Sequence, residues 1–133
     1  MPRFTGYLAV IVLFVWVIAC GSGQPLRVTA IQLGRSLNAD NTVASHTSTF
    51  ARGDTVYVSV VTSGAGSGTI GVRWTYAGRV VGEPEKQVAY RDAAATEFHL
   101  QSGTGFPPGD YTAEIFLNGQ SVGTREFQVE AKR

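Results

Sequence analysis

Hydrophobic and polar residues alternate with a period of two along most of the chain that follows residue 25. The clearest alternating runs are 55–62, 70–76, 97–100 and 111–117. A period of two places every second side chain on the same side of an extended strand, so these runs predict β-strands with one buried face. Asn118–Gly119 separates two of the alternating segments and is a strong signal for a β-hairpin. The pattern therefore predicts an all-β domain.

The spacing of these runs favours an antiparallel sandwich. About seven or eight short strands, separated by Gly, Pro and Asn turns, are typical of that architecture. Trp74 lies in the third strong strand, and Tyr111 follows the turn residues Pro107–Pro108. These features resemble the buried tryptophan and the tyrosine corner of immunoglobulin-like and fibronectin-III-like domains. The resemblance implies an immunoglobulin-like sandwich over residues 26–133, without the cysteine pair of antibody domains.

The chain begins with a pattern of a different kind. Arg3 precedes an apolar run from Tyr7 to Ala19, which is shorter than the about 20 residues that a membrane-spanning helix needs. A positively charged residue followed by a short apolar run is typical of a secretory signal, so residues 1–19 are expected to form a hydrophobic signal helix. Two alternatives stay open: an uncleaved membrane anchor over the uncharged stretch 4–26, and a helix buried in the core.

The end of the apolar run resembles a bacterial lipobox. Its sequence is Val17-Ile18-Ala19-Cys20. The resemblance implies cleavage between Ala19 and Cys20 and acyl chains on Cys20, which would make the membrane a partner of the chain. Residues 20–25 would then be the lipidated cysteine and a short tether, reaching about 17 Å when extended. Gly21 favours the outer membrane, with the domain facing the periplasm.

Composition and charge exclude several classes of function. The 133 residues include 16% charged residues and carry a net charge of +1. A nearly neutral chain lacks the basic stripe that a nucleic-acid-binding protein needs, so no nucleic-acid partner is expected. One Cys and two His are too few for the usual four-ligand zinc site, and we expect neither a metal nor a cofactor.

The mature chain also resembles a group of small bacterial lipoproteins of unassigned activity. The residues that carry this resemblance are Phe50–Val60, Arg73–Tyr76, Glu97–Leu100, Gly109–Tyr111 and Phe116–Phe127. These motifs cover most of the chain after Cys20, and they are structural motifs. The resemblance therefore implies a lipoprotein and brings no catalytic residues.

Motifs that would support catalysis are sparse. Residues 66–71 match G-x-G-x-x-G, but the alternating residues that follow predict a strand rather than the helix on which a phosphate would rest. His99 is expected to face solvent on a strand, and His46 lies in a polar segment. Glu83 and Glu85 form the one acid pair that suggests an enzyme, a cell-wall hydrolase, and this alternative stays open.

A binding role is the leading hypothesis. Aromatic residues outside the expected core positions are Tyr57, Tyr90, Phe106 and Phe116. We expect Phe106, Tyr90 and Gly66 to contact a partner, since exposed aromatic side chains are common binding hot spots. The function predicted from the sequence is a membrane-anchored, non-catalytic binding or assembly module whose partner is another envelope protein. A protease inhibitor that presents the glycine-rich segment 64–68 is a further alternative.

Overall fold

The computed structural model describes residues 24–131 of the chain. The predicted signal helix, Ala19 and Cys20 lie outside this range. Among the described residues, no helix has the length and apolarity that crossing a membrane requires. The strands are β1 (Arg27–Gly34), β2 (Thr49–Phe50), β3 (Val56–Ser63), β4 (Gly66–Tyr76), β5 (Arg79–Gly82), β6 (Glu85–Tyr90), β7 (Ala94–Leu100), β8 (Gly109–Leu117) and β9 (Gln120–Val129).

The strands form two sheets that pack as an immunoglobulin-like sandwich. The small sheet has the order β1-β3-β7, and the large sheet has the order β2-β9-β8-β4-β5, with β6 beside the first half of β4. All pairs are antiparallel except β2 with β9. The predicted all-β immunoglobulin-like sandwich is confirmed. The described residues contain nine strands rather than seven or eight, because β2 has only two residues and Glu83–Pro84 separates β5 from β6.

The core lies between the inward faces of the two sheets. Val58 and Val60 of β3 face Trp74 of β4 and Phe127 of β9, and all four side chains are at most 2% exposed. The Trp74 and Phe127 rings meet edge to face with their centroids 6.0 Å apart. Trp74 is thus buried between the sheets, as the sequence predicts. Burial of this continuous apolar surface is the main favourable contribution to the folding free energy.

Tight turns with left-handed backbone connect neighbouring strands of the large sheet at Ala77–Gly78, between β4 and β5, and at Asn118–Gly119, between β8 and β9. Asn118 and Gly119, with φ of 52° and 82°, join β8 to β9, so the predicted hairpin is confirmed. The backbone NH of Asn118 donates to the Thr69 carbonyl at 2.8 Å, and its Oδ1 accepts from the Thr69 NH at 2.9 Å. Asn118 therefore fixes the turn to β4 as well as forming it.

The predicted tyrosine corner is also present. The Tyr111 hydroxyl donates to the Pro107 carbonyl at 2.6 Å. Its ring stacks on Tyr76 and on Phe127, at centroid distances of 4.5 and 5.2 Å. Burial raises the pKa of Tyr111 and Tyr76 adds to this shift, whereas Arg52 opposes it. The corner joins the turn before β8 to the core.

The strand directions define two ends of the sandwich. One, named the N-terminal end, contains Gln24 and the turns 64–65, 91–93 and 118–119. The other, named the far end, contains the segments 35–48, 51–55, 77–78 and 101–108. Gly66 and Tyr90 lie at the N-terminal end and Phe106 lies at the far end, so these three predicted partner residues do not form one site.

Candidate functional site

The outer face of the large sheet is a broad polar surface, named here the open face. The pairing register aligns Thr75, Thr112 and Glu126 in one row across β4, β8 and β9. It aligns Arg73, Glu114 and Thr124 in the next row. Gln128 extends the face beside Thr49. These side chains point away from the core, since successive residues of a strand alternate between its two faces.

A depression of about 630 Å³ lies on the open face at the far end. Its polar groups are the hydroxyls of Ser48, Thr49, Thr75 and Thr112, the carboxylates of Asp110 and Glu126, and the amide of Gln128. The lining thus offers both donors and acceptors of hydrogen bonds. It suits a partner that presents polar groups, such as a peptide backbone.

A second depression, of about 300 Å³, surrounds Arg73. The Arg73 guanidinium lies 2.8 Å from Glu83 and 3.5 Å from Glu114, and 4.8 Å above the centre of the Phe116 ring. Exposed ion pairs contribute little stability, typically about 0–1 kcal/mol each. Their effect here is geometric, because two carboxylates and a ring hold a flexible cation in one place.

The acid pair that suggested an enzyme lies beside this second depression. Glu83 and Glu85 are both exposed and both line it. Glu83 accepts a hydrogen bond from Nε of Arg73, so one member of the pair already has a cationic partner.

The histidines occupy exposed positions. His99 lies in β7 with its side chain 49% exposed, which confirms that it faces solvent, and its Nδ1 is 3.1 Å from Oε2 of Glu97. His46 lies in the segment 35–48 and forms a backbone bridge with Gly34. Within residues 24–131, no group of three or more His, Cys, Asp or Glu residues is arranged to hold a metal ion.

The outer face of the small sheet differs, because the segment 35–48 folds onto its β1 side. Val43 of this segment is 4% exposed, and its backbone NH donates to Oε1 of Gln32 at 3.0 Å. The approach is close: a Cβ atom on Gly34 would lie 2.2 Å from the Ser45 carbonyl oxygen. Ser59, at the centre of this face, is completely buried. We call it the covered face.

Both edges of the small sheet are contacted by cations from the large sheet. Nε of Arg125 in β9 donates to the Ile31 carbonyl of β1 at 3.2 Å. On the other side, Nζ of Lys86 in β6 donates to the Glu97 carbonyl of β7, and it lies 3.2 Å from Oε1 of the same residue. Charged side chains at a sheet edge discourage the addition of another strand.

The Glu97 carboxylate is held by groups from both sheets. Burial raises the pKa of Glu97, but hydrogen bonds from His99 and Lys86 together outweigh it, so the pKa lies below its ordinary value of 4.5. The charged form of Glu97 is therefore the form that the folded protein favours.

The expectation that Phe106 is exposed is wrong. Its side chain is only 4% exposed, and its ring packs edge to face on Tyr111 with a centroid distance of 5.9 Å. The loop that carries it folds back on the domain, since the Phe106 NH donates to the Arg52 carbonyl and Nε of Arg52 donates to the Phe106 carbonyl, each at 2.9 Å. Phe106 is a core residue of the far end.

The other two predicted partner residues pair with each other. Gly66, the exposed first residue of β4, is the register partner of Tyr90 at the end of β6. Tyr90 is half-buried, and its hydroxyl lies 2.8 Å from Oγ1 of Thr96. The glycine-rich segment 64–68 is a tight turn followed by the start of β4. Both residues remain accessible, but neither lies on the open face.

Sequence reasoning missed the open face itself. Its residues are the polar members of the alternating runs that also predicted the core. Their outward direction therefore follows from the sequence alone. What the sequence lacked was the order of the strands, which brings Thr75, Thr112 and Glu126 into one row.

Gln24, the first residue that the structure describes, is already hydrogen-bonded to the sandwich. The Gln24 carbonyl accepts a hydrogen bond from the Ala65 NH at 3.0 Å, and Pro25 forms a parallel bridge with Ala65. Gly64, with φ of 85°, permits this contact, since a Cβ atom there would lie 2.1 Å from the Pro25 carbonyl oxygen. Gln24 and Pro25, which the sequence assigns to the tether, thus pair with the sandwich.

Comparisons with known proteins support the fold. No family model matches the sequence, and no curated protein matches it. The structure is similar to an immunoglobulin-like protein from Pseudomonas aeruginosa, with a TM-score of 0.56 and 13% identity over 83% of this chain and 100% of that one. It is also similar to part of a β-glucosidase from Listeria innocua, with a TM-score of 0.54 and 14% identity over 84% of this chain. The chain spans 16% of that enzyme. Likenesses at this identity establish an immunoglobulin-like β-sandwich domain.

Proposed function

We propose that this protein is a membrane-anchored, non-catalytic binding or assembly module of the bacterial envelope. The observation that carries the proposal is the contrast between the two outer faces of the sandwich. The covered face is overlain at β1 by the segment 35–48 and has a cation at each edge. The open face carries two depressions lined by polar groups. A surface left concave and rich in hydrogen-bonding groups suits recognition of another protein.

The proposed location follows from the sequence. The lipobox-like residues that end in Cys20 support export and attachment by acyl chains, with the outer membrane facing the periplasm as the favoured site. Two or more acyl chains are enough for stable anchoring. The balanced charge of the chain leaves anchoring to the lipid rather than to a basic patch. The partner we propose is another envelope protein.

Photo-cross-linking in intact cells tests this proposal. A photoreactive residue replaces Thr112 on the open face in one variant and Ala95 on the covered face in another. Both positions are half-buried, lie within a strand and carry small side chains. We expect one stoichiometric protein adduct from position 112 and none from position 95. Adducts from position 95 alone, or from neither position, contradict the proposal.

The anchor has a separate test. Cys20→Ser is expected to release the protein from the membrane fraction, or to leave an uncleaved precursor, and to abolish acyl labelling. Labelling that persists in this variant contradicts attachment at Cys20.

One observation favours the alternative of a cell-wall hydrolase. Glu83 and Glu85 line the same depression, and paired carboxylates perform glycoside hydrolysis when they flank a bound sugar. The double variant Glu83→Gln and Glu85→Gln is assayed for peptidoglycan turnover beside the wild type. Activity in the wild type that the double variant loses supports the enzyme over the binding module.

A further inference from the structure

Three successive residues bind the start of the described chain to the N-terminal end of the sandwich. Gln24 and Pro25 pair with Ala65, as described above. Leu26 lies against β4, since a Cβ atom on Gly68 would be 3.3 Å from its Cδ2. The chain therefore leaves the domain at a fixed point, beside the turn that connects β3 to β4.

Little chain separates this point from the proposed lipid. Only residues 21–23 lie between Cys20 and Gln24. Even when fully extended, that stretch carries the Cα atom of Gln24 no more than about 14 Å from that of Cys20. The ten-residue strand β9 runs the length of the sandwich, about 33 Å. The N-terminal end is thus confined near the lipid surface, whereas the far end is not.

The distribution of charged side chains also favours contact between the N-terminal end and the lipid. Arg27 and Arg91 are exposed at the N-terminal end, where Asp92 is the exposed carboxylate. Among the described residues, the far end carries Asp40, Asp54, Asp110, Glu126 and Glu130 against Arg35, Arg52 and Arg79, and Lys132 and Arg133 follow in the sequence, so the far end has no excess of basic side chains. Basic side chains near an anionic lipid surface are attracted to it, and carboxylates are repelled. The attraction favours a domain that stands on its N-terminal end over one that lies on its side.

We propose that the N-terminal end rests on the headgroup surface of an anionic bilayer, with the strands directed away from it. The depression of about 630 Å³ on the open face then lies at the height of the far end, where a partner protein reaches it without contacting lipid. This inference rests on the proposed lipidation of Cys20. It adds which surface meets the lipid and which surface is presented to the partner.

Fluorescence quenching by labelled lipid tests the orientation. Gln120, the first residue of β9, and Glu130, which follows its last residue, are both exposed. Each is replaced in turn by a fluorescent amino acid, which leaves Cys20 as the single cysteine. The full lipidated protein is reconstituted into vesicles of phosphatidylethanolamine and phosphatidylglycerol that carry a headgroup nitroxide quencher. We expect quenching several-fold stronger at position 120 than at position 130. Equal quenching, or stronger quenching at position 130, overturns the proposal.

Two controls separate this result from the anchor itself. Cys20→Ser in the same vesicles should show no quenching at either position. If the wild-type protein also fails to bind vesicles, the anchor is wrong and the proposed orientation fails with it.

A variant with a long Gly/Ser insertion between Gly23 and Gln24 should bind vesicles normally but lose most of the difference in quenching between positions 120 and 130. A difference that survives the insertion would show that the short tether does not set the orientation, and would overturn the argument from reach.

Discussion

The two sheets of the sandwich share one core but present opposite kinds of surface. The small sheet has the segment 35–48 folded onto its outer face and a cation from the other sheet at each edge. The large sheet leaves its outer face uncovered, and its edge strand β5 carries Val80 and Val81 at 52% and 48% exposure. The difference teaches that the same alternating sequence pattern builds a partly covered surface in one sheet and an uncovered one in the other. Contacts distant in sequence decide which surface is covered.

The largest effect is expected where the two sheets share the core. Trp74→Ala removes a ring that packs on Phe127, and should lower the free energy of unfolding by about 3–5 kcal/mol. Arg73→Ala, one residue earlier on the open face, should cost less than about 1 kcal/mol. Denaturant unfolding of both variants measures the contrast. Similar losses from the two substitutions would show that the open face is not a free surface.

A smaller effect is expected at the covered face. Gly34→Ala inserts a methyl group 2.2 Å from the Ser45 carbonyl oxygen, so the segment 35–48 has to move. Overpacking of this kind costs about 1–3 kcal/mol. Gly103→Ala is the control, because nothing lies within 4 Å of the added atom, and its effect should stay within about 0.5 kcal/mol. Thermal unfolding compares the two, and an unchanged Gly34→Ala variant would contradict the close packing of this segment.

The edges of the small sheet provide a third comparison. The double variant Lys86→Ser and Arg125→Ser frees the edges of β7 and β1, and should self-associate as its concentration rises. The double variant Arg73→Ser and Arg91→Ser removes the same charge at other positions and should self-associate no more than the wild type does. Light scattering measures both. Equal association would assign the effect to net charge rather than to the edges.

The smallest effect concerns pH. Because the pKa of Glu97 is lower in the folded protein than its ordinary value of 4.5, the charged carboxylate adds stability above that pH. This contribution is lost as the pH falls through the folded value. Glu97→Gln should therefore show a smaller drop in unfolding midpoint between pH 7 and strongly acidic solution than the wild type shows. Identical drops would exclude Glu97 as a source of the acid sensitivity.

Local signals in the sequence predicted most of the architecture. The Asn118–Gly119 turn, the inward position of Trp74 and the Tyr111 corner each depend on residues that are close in sequence. The physics that fixes them acts over a few residues, through left-handed backbone, alternation of faces and one hydrogen bond to a nearby carbonyl. Such features are readable before the fold is known.

Contacts between distant segments were not readable in this way. Phe106 lies in a Gly- and Pro-rich segment that suggests exposure, yet Arg52 holds that loop against the domain through two hydrogen bonds. Val43 lies in a polar segment, yet it is buried over Gly34. The open face depends on strand order in the same way. Each case needs a partner at least nine positions away, as in Val43 over Gly34, which no local pattern specifies.

The Asn118–Gly119 turn also has a consequence for the order of folding. Its strands β8 and β9 are joined by two residues, so their pairing closes a very short loop, and isolated hairpins form in about 1–10 μs. Strand β2 pairs with the end of the same hairpin from a distant part of the chain, with Phe50 opposite Val129. Closing a long loop carries a larger entropic penalty before any contact compensates for it. We therefore expect the turn to be formed already in the folding transition state, so that substitutions there slow folding, whereas the contact made by β2 forms later and substitutions in it mainly speed unfolding.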